Sequence, residues 1–135
     1  MSLTRSFQVA STGLSSQSLR LNAIASNLAN AEAVSGPDGQ PYKPRHVVFR
    51  PAPIIGEVAA GVEVAAVVED PRPGPLVYKP GHPSADANGY VRMPNVNPVE
   101  AMVDMISASR SYQMNVEMLN TSKQLMLKLL DLGRV

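Results

Sequence analysis

The sequence predicts an elongated α+β chain: long N- and C-terminal α-helices packed as a coiled-coil-like pair, around a Pro-rich middle of short β-strands and extended loops. Three observations predict it. Near the N-terminus, Leu3, Phe7, Ala10, Leu14, Gln17, Leu21, Ile24, Leu28 and Ala31 follow one another in alternating steps of four and three. Near the C-terminus, Met102, Met105, Ser109, Tyr112, Val116, Leu119, Lys123, Met126 and Leu130 do the same. Such spacing places each set on one helical stripe, the pattern of a coiled-coil seam. All 12 prolines fall between the two repeats, from Pro37 to Pro98, so the middle is not helical.

Length separates this chain from a compact globule. A globule of 135 residues has a radius of gyration of about 14 Å. Helices over residues 3–31 and 98–132 would run roughly 43 and 52 Å at 1.5 Å per residue. Three segments are expected: an N-terminal helix within 1–33, an extended loop and small β region over 34–96, and a C-terminal helix within 97–135.

The first helix has cap candidates at Ser2 and Thr4 and fades after Ala33. Its polar face is uncommon, because residues 1–31 carry only two charges, Arg5 and Arg20. A solvated helical face usually carries Lys and Glu pairs, whereas short Ser, Thr and Asn side chains can be buried where each finds a hydrogen-bond partner. Gly13 inside the helix costs about 1 kcal/mol relative to Ala and points to a close approach or a kink. The last helix is capped by Asn97, with Pro98 at its first position and Glu100 three residues on. Glu100 and Asp104 near its start, with Lys123, Lys128 and Arg134 near its end, complement the helix dipole, and Gly133 stops it.

Between the helices, the alternation at Val62, Val64, Ala66 and Val68 predicts a strand from about Val58 to Val68. Val47 to Phe49 and Leu76 to Tyr78 predict shorter strands, and Asn88-Gly89 predicts a turn before Tyr90-Val91. So small a β unit has a weak core and depends on the helices or on neighbouring molecules.

No catalytic chemistry emerges. His46 and His82, the only histidines, lack further ligands at a recognised spacing, so no metal or cofactor is expected. There is no cysteine, phosphate loop or nucleophile elbow. Glu69 and Asp70, before Pro71, read as a solvated turn, and Lys43, Arg45, His46 and Arg50 as solvated loop charges. A net charge of +1 gives no footprint for nucleic acid. No apolar run approaches the ~20 residues that span a bilayer, and the start lacks the build of a cleavable signal peptide.

Thr12-Gly13-Leu14-Ser15-Ser16-Gln17 and Asn22 to Ala31 resemble the N-terminal signature of bacterial flagellar rod and hook proteins. Asn95-Val96-Asn97, Met102 to Gln113 and Asn120 to Gln124 are similar to the C-terminal signature of the same proteins. Val77 to Pro83 and Gly89-Tyr90-Val91 narrow the likeness to the proximal-rod members, while Gly36 to Gln40 and Lys79 depart from the pattern. The resemblance implies a structural subunit of the basal-body rod in the periplasm, exported by the flagellar type III apparatus and ordered at its termini on assembly. Its implied partners are copies of itself and neighbouring rod proteins. On that reading the assembly interface is Leu3, Phe7, Leu14, Leu21, Ile24 and Leu28 on the first helix, with Met102, Met105, Tyr112, Val116, Leu119, Met126 and Leu130 on the last. Asn27 and Asn30 are expected to fix register through hydrogen bonds. The competing reading, a soluble coiled-coil adaptor or export chaperone, calls for charged outer faces that the first helix lacks.

Overall fold

The structure, a computed structural model, describes residues 3–54 and 60–133. Two long helices, α1 (Leu3–Ala29) and α2 (Pro98–Leu132), enclose four strands: β1 (Arg45–Pro53), β2 (Ala60–Glu69), β3 (Leu76–Tyr78) and β4 (Tyr90–Arg92). The architecture is α+β, with a small antiparallel strand region between the helices in sequence. β1 pairs with β2, and β3 pairs with β4, each as a separate two-stranded sheet.

α1 stops earlier than the sequence suggests, at Ala29, and a turn follows over residues 30–32. Thr4 lies inside the helix rather than at its cap, and Ser2 is outside the described residues. α2 starts where Asn97 caps it: the side-chain oxygen accepts from Val99 N at 3.1 Å and Glu100 N at 3.4 Å, with Pro98 next in line. At its far end Gly133 N–H donates to Leu129 O at 3.1 Å.

The first hairpin is longer than the Val47–Phe49 signal implied, because β1 runs on through two prolines. Pro51 is tolerated there because its partner is Val62, whose N–H and C=O both bond away from β1. Neither residue of such a pair needs the other's backbone. A bulge between Val48 and Phe49 skips Ala65 and shifts the register. Cross-strand ion pairs join Arg45 to Glu69 at 3.3 Å and Arg50 to Glu63 at 2.6 Å on the exposed ribbon. Arg45, His46 and Arg50 are therefore strand residues, not loop charges. β2 is described from Ala60, so the expected start at Val58 lies outside the described residues.

The second hairpin has a long connection in place of a two-residue turn. Asp86 organises its return: the carboxylate accepts from Asn88 N and Tyr90 N, both at 2.9 Å, and Gly89 N–H donates to Asp86 O. Val91 on β4 is the largest fully buried side chain among the described residues, and Tyr78 and Tyr90 meet edge to face at 5.3 Å. Otherwise the buried apolar set is sparse: Ala10, Ile24 and Ala108.

Candidate assembly interface

α1 is the element that contacts both α2 and the β1–β2 hairpin. One of its sides holds the β1–β2 hairpin by side chains alone. At 100° per residue, Thr12, Ser16 and Asn27 fall within about 60° of one another. Thr12 Oγ1 accepts from Val62 N at 3.1 Å, and Ser16 Oγ donates to Val62 O at 3.2 Å, so together they stand in for a neighbouring strand on the open edge of β2. Thr12 itself donates back to Val9 O at 2.7 Å. Asn27 does the same for β1: its Nδ2 donates to Arg45 O and its Oδ1 accepts from Arg45 N, both at 2.8 Å. Tyr42 OH donates to that same oxygen at 3.0 Å and sits 3.2 Å from Ser26 Oγ. Close approach is built in, since a Cβ on Gly61 would lie 2.6 Å from Thr12 Oγ1. The uncharged face of α1 thus supplies backbone partners to the outer edges of a two-stranded sheet that has no third strand.

An adjacent side of α1 meets α2, which packs on no other element. The helices run antiparallel, with Gly13 against Asn115 and Arg20 3.9 Å from Asp104. Beside Ile24, the buried positions are small: Ala10 and Gly13 on α1, Ala108 and Ser122 on α2, with Ala108 fully buried at 0% exposure. Small residues let two helices approach closely. Asn115 Nδ2 is anchored to Ser111 O at 2.8 Å, and Gln17 Oε1 is buried without a hydrogen-bond partner in this chain.

Asp70 forms a clasp where β2 leads toward α2. Only 8% exposed, it is not the solvated turn residue its place before Pro71 suggested. Its carboxylate accepts from Arg72 N at 3.0 Å, from Arg72 Nε at 2.9 Å and from Asn95 Nδ2 at 3.2 Å, while its own N–H donates to Pro44 O at 2.8 Å. His46 Nε2 stands 4.0 Å away. The Arg72 hydrogen bonds, helped by its charge and that of His46, lower the Asp70 pKa from 3.8 to about 2. A lowered pKa means stabilisation that is complete above pH 3.8 and is lost as pH falls through about 2. An NMR acid titration of the Asp70 carboxyl carbon should therefore show a midpoint near 2, and a midpoint at or above 3.8 would remove the clasp.

The expected interface residues divide. Ile24 and Asn27 are buried; Leu3, Leu14, Leu21, Leu28 and Asn30 are half-buried; Phe7 is exposed. On α2, Met105, Tyr112, Val116, Leu119 and Met126 are half-buried, while Met102 and Leu130 are exposed. Two positions of the C-terminal repeat lie one residue off the covered line: Ala108 rather than Ser109, and Ser122 rather than Lys123, is buried. The same offset sets Gly13 against Leu14 and Asn27 against Leu28 on α1. Asn27 joins helix to strand, whereas Asn30 Nδ2 donates only to Ser26 O, within its own helical end. The hairpin contacts of Thr12 and Ser16 were missed from sequence, although three uncharged polar residues sharing one stripe with Asn27 would have flagged them.

Among the described residues no three His, Asp or Glu side chains come together to hold a metal ion, and no helix is long and apolar enough to cross a membrane. A cleft of about 640 Å³ between the hairpin and the start of α2 is lined by Arg20, Asn27, His46, Asp70, Arg72 and Asp104 among others, groups already engaged in the clasp or the helix contacts.

Residues 7–37 match the family described as "Flagella basal body rod protein", and residues 87–132 match "Flagellar basal body rod FlgEFG protein C-terminal". The chain is 58% identical over 134 residues to the flagellar basal-body rod protein FlgC of Yersinia enterocolitica, covering 99% of this chain and 100% of that protein. It is 56% identical to FlgC of Salmonella typhimurium over the same shares, and 43% identical to FlgC of Borreliella burgdorferi over 93% of each. The chain belongs to the FlgC family of flagellar basal-body rod proteins, structural components of the rod and not enzymes.

Proposed function

We propose that this chain is a subunit of the proximal rod, assembling helically through its terminal helices into the shaft that carries torque from motor to hook. One observation carries the assembly step. A compact monomer of 14.4 kDa exposes about 6,800 Å². This chain exposes 9291 Å², and its surface includes Val99, Val103, Ile106, Met114 and a run of leucines near the end of α2. A surplus of about 2,500 Å² is roughly three faces of the ~800 Å² that each partner contributes to a standard interface.

On this reading α1 and α2 pack in a coiled-coil-like manner, residues 1–33 and 97–135 form the axial core, and residues 34–96 bridge to neighbours. Those neighbours are copies of the chain and other rod proteins. The subunit reaches its site through the flagellar type III export apparatus. A head-to-tail contact that does not close is what extends subunits into a shaft. Leu21, half-buried on the flank of the helix pair, provides the test. Leu21→Asp, secreted at normal levels, should give cells that build no complete rod and do not swim. Normal swimming with intact rods in electron micrographs would refute the interface.

A further inference from the structure

The second hairpin stands apart from the rest of the fold. Among the described residues, β3 and β4 pack on each other and on no other helix or strand. Leu76 pairs with Arg92 and Tyr78 with Tyr90, so these four share one face of the hairpin, and the buried Val91 lies on the other. The first face is open, with Leu76, Tyr78 and Tyr90 all exposed. It borders a pocket of about 210 Å³ walled by three stretches, residues 40–43, 71–74 and 92–95. Lys43, Arg72 and Arg92 line that pocket, and no carboxylate does. Asp70 takes up the charge of Arg72 in the clasp. Lys43 has no ion pair or side-chain hydrogen bond among the described residues. Arg92 donates one Nη1 hydrogen to Gly74 O at 2.9 Å, and its other N–H groups have no acceptor there. The walls are stiff. Pro41, Pro71, Pro73 and Pro94 fix φ at four points. A Cβ on Gly74 would collide with Met93 O, so two of the walls already meet backbone to backbone.

We infer that this pocket and the adjoining face of β3–β4 hold an extended acidic segment of a different protein, one that carries Asp or Glu two residues from a large apolar side chain. The inference rests on the rod-subunit reading above, in which residues 34–96 bridge to neighbours, and names the chemistry of one such neighbour. Charge selects the acid. Two uncompensated cations in a pocket without a carboxylate suit a carboxylate, and a guanidinium tethered on one side presents its remaining N–H groups as a fixed fork. Spacing selects the extended form. Arg92 and Tyr90 lie two residues apart on one strand, about 7 Å, and alternate side chains of an extended segment repeat at the same distance. A carboxylate on Arg92 therefore sets an apolar side chain over Tyr90 and Tyr78, whose rings already meet edge to face. Preformed walls and rings keep the ordering cost of binding low. A second copy does not supply such a segment. Of its described carboxylates outside α2, Asp38, Glu63, Glu69, Asp70 and Asp86 are engaged within the chain, and Glu32 lies in the turn after α1. Those on α2 ride a helix about 10 Å wide, which a pocket of this size does not admit.

Photocrosslinking tests it. Leu76 stands opposite Arg92, between the pocket and the open face, so p-benzoylphenylalanine in its place reports on both. Irradiated basal bodies from cells carrying only this variant should join the subunit to one other protein. Mass spectrometry should place the bond in a segment with Asp or Glu two residues from an apolar residue. Arg92→Gln should cut the crosslinking yield at least about tenfold, through loss of charge-assisted hydrogen bonds. Replacing the partner's acid by Lys should restore the yield in combination with Arg92→Glu. A crosslink only to a second copy, to lipid or to a segment without a carboxylate would overturn the inference. So would an unchanged yield in Arg92→Gln, or basal bodies that contain the subunit but give no crosslink. Should either substitution keep the chain out of basal bodies, Lys43→Glu in the otherwise unsubstituted chain decides, because Lys43 has no hydrogen bond or ion pair among the described residues to lose. Normal incorporation of Lys43→Glu overturns the docking, and a severalfold loss of incorporated subunit supports it. Absence of the unsubstituted chain from basal bodies would instead defeat the rod-subunit reading itself.

Discussion

Asn27→Leu should unfasten the β1–β2 hairpin from α1 while leaving both helices intact. The substitution keeps the branched shape and the number of heavy atoms and removes three hydrogen bonds: two at 2.8 Å to the backbone of Arg45 and one at 3.0 Å from Tyr42. At about 0.5–1.5 kcal/mol each, their joint loss comes to about 2–4 kcal/mol. Buried as Asn27 is, water does not simply replace them. A loss of that size is about a 30- to 900-fold shift in equilibrium. Amide exchange at Arg45 in assembled basal bodies should accelerate by that factor, and the swimming halo should shrink. Asn30→Leu is the control, because its side chain bonds only to Ser26 O within the same turn, and its cost should stay below about 1 kcal/mol. Equal effects of the two substitutions would mean that the Asn27 bridge does not hold the hairpin.

The pair shows how far sequence reasoning reached. Long helical repeats were plain, because period and proline content are local properties of the chain. The β hairpins were visible as alternation and turn chemistry, yet β1 came out too short, since Pro51 and Pro53 argue against a strand unless its edge faces away from the partner. That edge is set by Val62 bonding to Thr12 and Ser16, some fifty residues away in sequence. The offset of the covered line on α2 has a related cause. Leucine and methionine mark the apolar side of a helix, but the closest contact goes to the smallest residues, and Ala108 and Ser122 carry little hydrophobic signal. Asp70 looked solvated because its partners, Arg72 and Asn95, converge on it only once the chain turns back toward α2. What a single helix or strand decides was legible, and what depends on two distant segments meeting was not.

Gly13 offers the sharpest test of how the helices meet. A Cβ there would lie 2.7 Å from Asn115 Oδ1 and 3.0 Å from its Cγ and Nδ2, closer than real Cβ contacts come. Asn115 is not free to swing aside without cost, because its Nδ2 donates to Ser111 O at 2.8 Å. Gly13→Ala sets two opposed effects against each other. Replacing a mid-helix glycine gains about 1 kcal/mol of helix propensity, while turning the Asn115 amide away loses a bond worth about 0.5–1.5 kcal/mol. The net should lie within about 0.5 kcal/mol of zero. Gly13→Leu has no such compensation. Its side chain must displace α2 itself, and overpacking of this kind costs about 1–3 kcal/mol before the lost contacts of Ala108 are counted. Cells carrying Gly13→Leu should fail to swim, whereas Gly13→Ala should swim normally. Asn115→Ala should then act on the two differently. Combined with Gly13→Ala it opens the space the methyl needs, so the double variant should exceed the sum of the singles in stability by about 1 kcal/mol, a coupling expected only of residues in contact. Combined with Gly13→Leu it removes too little volume, and motility should stay lost. Strict additivity of Gly13→Ala and Asn115→Ala in melting of isolated rods would show that the two residues do not touch and that the helices cross elsewhere.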